Sequence, residues 1–170
     1  FVLTGDESSA PSSTVAPDGT EAEIQGLLSF KDVMQMKSLI NDRRATGTKC
    51  GATQMPPVPA LRVNRALNVA AQKHADDMAS KNFFSHTGSD GSTVGQRVTQ
   101  SGYQWSAVGE NIAAGTNTTS VGAAVNQLWT SEPHCKNFIS PKFTEWHAGR
   151  ANNPSSTYTN YFAIVLAKPL

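Results

Sequence analysis

The sequence predicts a single α+β domain in which a small, mostly antiparallel sheet lies between helices. The 170 residues suffice for one domain with a substantial core. Apolar side chains recur at helical spacing in four segments, whereas the strand-like segments are short and far apart along the chain. Strands placed in this way do not fit a doubly wound sheet, so we expect a sheet enclosed by helices.

The helices are predicted from apolar periodicity and from the residues that end them. The first covers residues 21–46 and ends at Gly47. The stretch CGATQMPPVPA, residues 50–60, contains three prolines and is predicted to be an extended loop. Three further helices are predicted over residues 61–80, 94–100 and 121–129.

Three strands are predicted in the second half of the chain. One passes through Glu110 and Ile112 in SAVGENIAAG, and another lies within residues 142–149. The run YFAIVLA, residues 161–167, is the clearest strand because it is apolar and rich in β-branched and aromatic residues. The chain contains no internal repeats, and because helices outnumber these few strands we expect the strands to form one small sheet.

The first residues have a different composition from the rest of the chain. Residues 5–20, GDESSAPSSTVAPDGT, are rich in Ser, Pro, Gly and Thr and carry almost no large apolar side chains. Such a composition does not offset the entropy of ordering, so residues 1–20 are predicted to be a flexible tether ahead of a domain at residues 21–170. The formal net charge of +1 gives no electrostatic case for a nucleic acid partner. No apolar run approaches the about 20 residues that cross a bilayer.

Three polar residues are candidate site residues. His86 follows the apolar anchor Phe83–Phe84 and precedes a loop with glycines, so its backbone is expected to be fixed at the rim of the core. His134 follows a proline that favours the first turn of a helix, where the helix dipole favours the neutral imidazole. Glu110 lies among apolar residues, and a buried carboxylate needs a partner such as a histidine or a cation. From spacing alone, a shared site and three separate structural roles are equally acceptable.

The other two histidines are interpreted as structural. His74 lies on the apolar stripe of the second predicted helix, so we expect a core histidine that is hydrogen-bonded to a neighbour. His147 alternates with Glu145 along a predicted strand and could face either way, with the surface preferred.

The two cysteines, Cys50 and Cys135, allow two interpretations. They are either buried thiols of a cytosolic protein or a disulfide, and we prefer the disulfide. In the chain-entropy model such a disulfide stabilises by about 4–5 kcal/mol. It would also fix the backbone of the neighbouring His134 against the region of the first helix.

Four blocks in order resemble the CAP superfamily, which includes cysteine-rich secretory proteins, antigen 5 and plant pathogenesis-related 1 proteins. The blocks are HADDMASKNFFSHTGSDGSTVGQR, GYQWSAVGENIAAG, LWTSEPHCKNFISPKFTE and YFAIVLAKPL. The likeness extends from about residue 39 to residue 170 and is strongest to the bacterial secreted branch, called SCP-like. It implies a three-layer α-β-α sandwich and a chain that is secreted, extracellular, periplasmic or at the cell surface.

The resemblance also implies an open cleft that holds two histidines and two glutamates. By block position, His86 and His134 match the family histidines and Glu110 matches the glutamate of the GEN motif. Glu132, three residues after a tryptophan, is the candidate for the second glutamate, and Glu145 is the lower-ranked alternative. In relatives the two histidines can bind a divalent cation such as zinc. Two protein nitrogens leave open coordination positions, so we expect weak binding.

Three functions fit these residues. The first is a secreted module, expected to be monomeric, that binds a small ligand such as a lipid or glycan, or an extracellular protein. The second is a metal-assisted hydrolase with Glu110 or Glu132 as the general base. The third is a polar cluster with a purely structural role. No GxSxG nucleophile elbow accompanies the histidines, so binding without catalysis is preferred.

Overall fold

A computed structural model describes the backbone of residues 2–7 and all of residues 27–170. This part of the chain folds into five helices and seven strands. The helices are α1 (Phe30–Thr46), α2 (Arg65–Lys81), α3 (Val94–Gln100), α4 (Val121–Trp129) and α5 (Glu132–Phe138). The strands are β1 (Val2–Glu7), β2 (Thr48–Cys50), β3 (Thr53–Met55), β4 (Arg62–Val63), β5 (Trp105–Ala114), β6 (Glu145–Asn152) and β7 (Asn160–Pro169).

The main sheet has five strands in the order β1-β5-β7-β6-β4. Its neighbours pair antiparallel except β4 and β6, which are parallel. The central strand β7 is buried on both faces, which explains why its sequence is apolar without alternation. Strands β2 and β3 form a separate hairpin. The predicted small, mostly antiparallel sheet is therefore confirmed.

Helices cover both faces of this sheet and create two cores. Phe162, Ile164 and Leu166 of β7 pack in one core, with α1, α4 and α5. The alternate residues Ala163 and Val165 pack in the other core, with α2 and α3. The structure thus confirms the three-layer α-β-α sandwich.

Helix α1 begins later than predicted because of a local capping signal. Ser29 accepts a hydrogen bond from the backbone N–H of Asp32, and the Asp32 side chain accepts one from the backbone of Ser29. This reciprocal pair satisfies two N–H groups at the helix start. Residues 27–29 are therefore not helical, and residues 21–26 of the predicted helix lie outside the described residues.

The connection between α1 and α2 is more ordered than the predicted loop. Gly51, with φ +59°, turns the chain between β2 and β3, so that part of the proline-containing stretch is a hairpin. Helix α2 begins at Arg65 rather than at residue 61, because Asn64 caps it and β4 precedes it. The bounds of α3 and α4 agree with the prediction.

One buried arginine fastens α1 to the chain after α5. Arg44 is 1% exposed and donates hydrogen bonds to four carbonyl oxygens, which belong to Pro59, Phe138, Ser140 and Phe143. Burial lowers its pKa to about 10. This role was not predicted, because in the sequence Arg44 resembles one half of an ordinary basic pair at a helix end.

The first residues of the predicted tether form a strand. Val2–Glu7 pairs with the outer edge of β5, with Asp6 opposite Glu110 and Gly5 opposite Asn111. Residues 8–20 of the tether lie outside the described residues, and for them the tether stays a prediction.

Candidate functional site

Glu110 is the centre of a buried polar cluster on β5. Its side chain is 0% exposed and lies on the face that carries Val108 and Ile112, toward α2 and α3. Its Oε1 atom is 2.8 Å from Nδ1 of His86. Its Oε2 atom accepts a hydrogen bond from Nη2 of Arg97 at 3.0 Å. The structure therefore brings His86 and Glu110 together and adds a guanidinium.

Arg97 positions both partners of that pair. Its Nη2 atom also donates to the backbone carbonyl of His86 at 2.9 Å, and its Nη1 atom donates to the carbonyl of Ser92 at 2.8 Å. The side chain is 2% exposed. A guanidinium fixed in this way holds the carboxylate of Glu110 and the loop of His86 in one arrangement.

The contact with Glu110 decides the tautomer of His86. A carboxylate with a low pKa can only accept, so Nδ1 of His86 carries the proton and donates it. When the ring is neutral, Nε2 then has a free lone pair. Among the described residues, Nε2 has no hydrogen-bond partner; this atom is buried, although 12% of the side chain is exposed. This atom is suited to a cation or to a proton.

The segment that leads to His86 is anchored to the core where α2 ends. Asn82 adopts a left-handed conformation with φ 53° and stops the helix. Phe83 and Phe84 then pack against the core under α2 and α3. Thus the loop of His86 starts from a fixed point.

His74 is a hydrogen-bonded core histidine, as predicted, but it also borders the site. Its Nε2 atom is 2.7 Å from the carbonyl oxygen of Ser85 and 3.9 Å from Oε1 of Glu110. Burial lowers the pKa of His74, so the ring is neutral at neutral pH. The prediction missed its nearness to Glu110 because this depends on how α2 lies over β5.

The pKa of Glu110 is lower than that of an ordinary carboxyl group. Burial alone would raise it, but the attraction of His74, the hydrogen bond from His86 and the charge of Arg97 outweigh burial. The contribution of His74 requires a protonated ring, which its own lowered pKa opposes. Arg97 and His86 are therefore the partners that keep Glu110 ionised at neutral pH.

His134 reaches β5 from the opposite face. Its backbone carbonyl accepts a hydrogen bond at 3.0 Å from the side chain of Asn111, which is fully buried. Because side chains alternate along a strand, Asn111 points to the layer of α1, α4 and α5, away from the layer of Glu110. The ring of His134 is buried, with Nδ1 2.7 Å from Oγ of Ser131. The two histidines are therefore attached to neighbouring residues of one strand, from its two faces.

A disulfide fixes the helix of His134. Cys50 of β2 and Cys135 of α5 are bonded, with their Cα atoms 5.5 Å apart. The disulfide interpretation is confirmed, and it connects α5 to the hairpin that follows α1, as expected.

Neither candidate for the second glutamate belongs to the hydrogen-bond network of Glu110 in the described part of the chain. Glu132 is exposed, lies against Gly51 and pairs with Lys136 at 2.7 Å. Glu145 accepts a hydrogen bond from Asn64 at 2.6 Å and lies on β6, which β7 separates from β5. His147, for which the surface was preferred, is buried, and its Nδ1 accepts from the backbone N–H of the next residue.

Two features of the described residues concern metal ions and membranes. Residues 27–170 contain no group of three or more His, Cys, Asp or Glu side chains arranged to hold a metal ion. The cation expected between His86 and His134 stays a prediction, and the structure attaches these two residues to opposite faces of β5. In the same part of the chain no helix is both long and apolar enough to cross a bilayer.

Comparison with known proteins agrees with this architecture. The family model of the cysteine-rich secretory proteins, CAP, matches residues 37–166. Among curated protein sequences, no relative matches the chain.

Solved structures share the fold. An extracellular protein with an SCP domain from Bacillus anthracis str. Ames has a TM-score of 0.65 at 24% identity, over 81% of this chain and 40% of that one. An outer surface protein from Borrelia burgdorferi has a TM-score of 0.69 at 18% identity, and the match covers 85% of this chain and 99% of that protein. A cysteine-rich secretory protein from Staphylococcus aureus subsp. aureus Mu50 has a TM-score of 0.54 at 13% identity, and the match covers 88% of this chain and 40% of that protein. This chain thus matches 40% of the length of the B. anthracis and S. aureus proteins. Since the family model covers most of the chain and the fold is shared, the chain belongs to the cysteine-rich secretory protein (CAP) family.

Proposed function

We propose that this chain is a binding module that acts outside the cytoplasm, in which Nε2 of His86 takes a weakly bound divalent cation such as zinc. His134, whose backbone is attached to the other face of β5, is tested as a second ligand. The ligand that the module recognises is a small molecule such as a lipid or glycan, or an extracellular protein. The observation that carries the proposal is the 2.8 Å contact of His86 Nδ1 with Glu110. A carboxylate behind an imidazole orients the ring and makes its other nitrogen a better donor to a metal.

The proposed location rests on the disulfide and on the similar structures. Disulfides persist in oxidising compartments and are rare in the cytosol. The similar proteins from B. anthracis and B. burgdorferi are described as an extracellular protein and an outer surface protein.

The carboxylates support binding better than hydrolysis. A general base must reach the proton it removes and needs a pKa near the working pH. Both carboxylate oxygens of Glu110 are engaged by His86 and Arg97, and the pKa of Glu110 is lowered. Glu132 is exposed and paired with Lys136. Neither carboxylate of the hydrolase hypothesis is therefore poised to act as the base.

A second candidate is a structural role for the cluster. It is favoured by the complete burial of Glu110 between His86 and Arg97. A buried charge with these partners can fix the loop of His86 onto β5 without binding anything. Cation binding distinguishes the two candidates, because the structural role does not require it.

The test is a calorimetric titration of zinc into the wild type and into His86→Asn and His134→Ala variants. Asparagine places an amide N–H where Nδ1 of His86 stands, so the hydrogen bond to Glu110 is kept while Nε2 is removed. We expect the binding heat of the wild type to be lost in His86→Asn. A loss in His134→Ala as well would show that the second imidazole contributes to the site. Glu132→Gln changes an exposed residue and is the matched control that should bind as the wild type does. Equal heats from the wild type and a His86→Asn/His134→Ala double variant would refute cation binding at these residues and support the structural role.

A further inference from the structure

A recess lies at the far end of β5 from the histidine cluster. It has a volume of about 670 Å³ and is bounded by residues 115–118, by α4 and by residues 157–158. Gly115 follows Glu110 by five residues, which corresponds to about 17 Å along an extended strand. The volume is within the range of small-molecule sites. This recess is therefore separate from the site proposed above.

The walls of the recess are held by internal hydrogen bonds. Asn160 is 3% exposed, and its amide nitrogen donates to the carbonyls of Gly115 and Thr116 at 3.1 and 3.2 Å. Its backbone carbonyl accepts from the N–H of Gly115 at 3.1 Å. On the other wall, the N–H of Tyr158 donates to the hydroxyl of Tyr161 at 3.3 Å. A site with fixed walls loses little entropy when a ligand binds.

The lining is neutral and offers many groups for hydrogen bonding. It contains no charged side chain. Asn117, Asn126 and Gln127 line it, and among the described residues their side-chain amides make no hydrogen bonds. Each amide has two donor hydrogens and an acceptor oxygen. The aromatic ring of Tyr158 is the largest side chain of the wall, and it contacts Phe84 edge-on with centroids 6.0 Å apart.

We propose that this recess binds a neutral oligosaccharide of two or three sugar rings. Sugars present dense, directional pairs of hydroxyl groups, which side-chain amides can donate to and accept from at once. They also present faces of C–H groups that pack on aromatic rings such as that of Tyr158. A lining without cations does not suit phosphates or carboxylates, and one rich in amides and hydroxyls does not suit a lipid chain.

The test uses three neutral trisaccharides, cellotriose, maltotriose and triacetylchitotriose, and one charged trisaccharide, trigalacturonic acid. Backbone amide NMR shifts of the full chain report binding. We expect at least one neutral probe to bind with a Kd on the order of 1 mM or tighter. The shifts should be confined to residues 115–118, 126–127 and 157–158.

Variants connect the binding to the recess. An Asn126→Ala/Gln127→Ala double variant should weaken binding about tenfold or more. Alanine is the better helix former, so α4 should stay folded. Gln104→Ala, at an exposed position near the other end of β5, is the matched control and should bind normally. The proposal is wrong if no neutral probe shifts these amides at about 10 mM, roughly ten times the expected Kd. It is also wrong if the charged probe binds more tightly, or if the double variant binds as the wild type does.

Discussion

Replacing Glu110 by glutamine should strongly destabilise the fold. Glutamine has nearly the same shape, but it is neutral and puts an NH₂ group where one carboxylate oxygen accepted. The guanidinium of Arg97, 2% exposed, then loses its counter-charge. Removing one partner of a buried ion pair costs about 3–5 kcal/mol. In a chain of this size each kcal/mol of destabilisation lowers Tm by about 2–4 °C, so the substitution should lower Tm by roughly 6–20 °C.

The assay is urea unfolding together with calorimetry, on the wild type, Glu110→Gln, Arg97→Met and the double variant. If the two groups stabilise each other, the double variant should be less destabilised than the two single effects added together. Glu132→Gln breaks an exposed pair with Lys136 and should cost about 1 kcal/mol or less. A Glu110→Gln variant as stable as Glu132→Gln would show that the buried pair does not hold this region together.

Two further predictions concern the disulfide and a buried histidine. The disulfide joins Cys50 and Cys135, 85 residues apart, so replacing both by alanine should cost about 4–5 kcal/mol and lower Tm by roughly 8–20 °C. A calorimetric shift of about a degree would contradict this. The pKa of His74 is lowered in the folded protein. The stabilisation from the neutral ring is therefore fully present above the ordinary histidine pKa of about 6.5 and is lost as the pH falls below it. The loss is at most about 1.4 kcal/mol per pH unit. In a His74→Gln variant the amide can still donate to the carbonyl of Ser85. Between pH 6.5 and 5 the free energy of unfolding in urea should depend less on pH in this variant than in the wild type. An equal dependence on pH would refute the role given to His74.

The position of β5 explains why a single strand carries so much of the polar chemistry. Consecutive residues point to opposite layers, so Glu110 engages the loop after α2 while Asn111 binds the backbone of α5. The same two residues thus connect the sheet to both helical layers. The disulfide at Cys135 further restricts α5.

The contact between His86 and Glu110 was predictable to the extent that the family blocks align these residues and that a buried carboxylate needs a partner. Arg97 was not predicted, although it lies beside Val94 and Val98 on the buried side of the short helix α3. A charged residue on the inner side of such a helix is a usable signal for a buried ion pair. Which acid it meets depends on the packing of α3 against β5.

By itself the sequence determined the segments whose signals are local. The apolar run of β7, the bounds of α3 and α4 and the anchor before His86 follow from the spacing of neighbouring residues. Tertiary structure decided the partners. Three such contacts join residues that are distant in sequence. They are the ion pair of Arg97 with Glu110, the hydrogen bonds of Arg44 to four carbonyl oxygens, and the attachment of His134 to the other face of β5. The physical reason is that hydrogen bonds and ion pairs form between groups that packing brings within about 3 Å, and packing is a property of the whole chain.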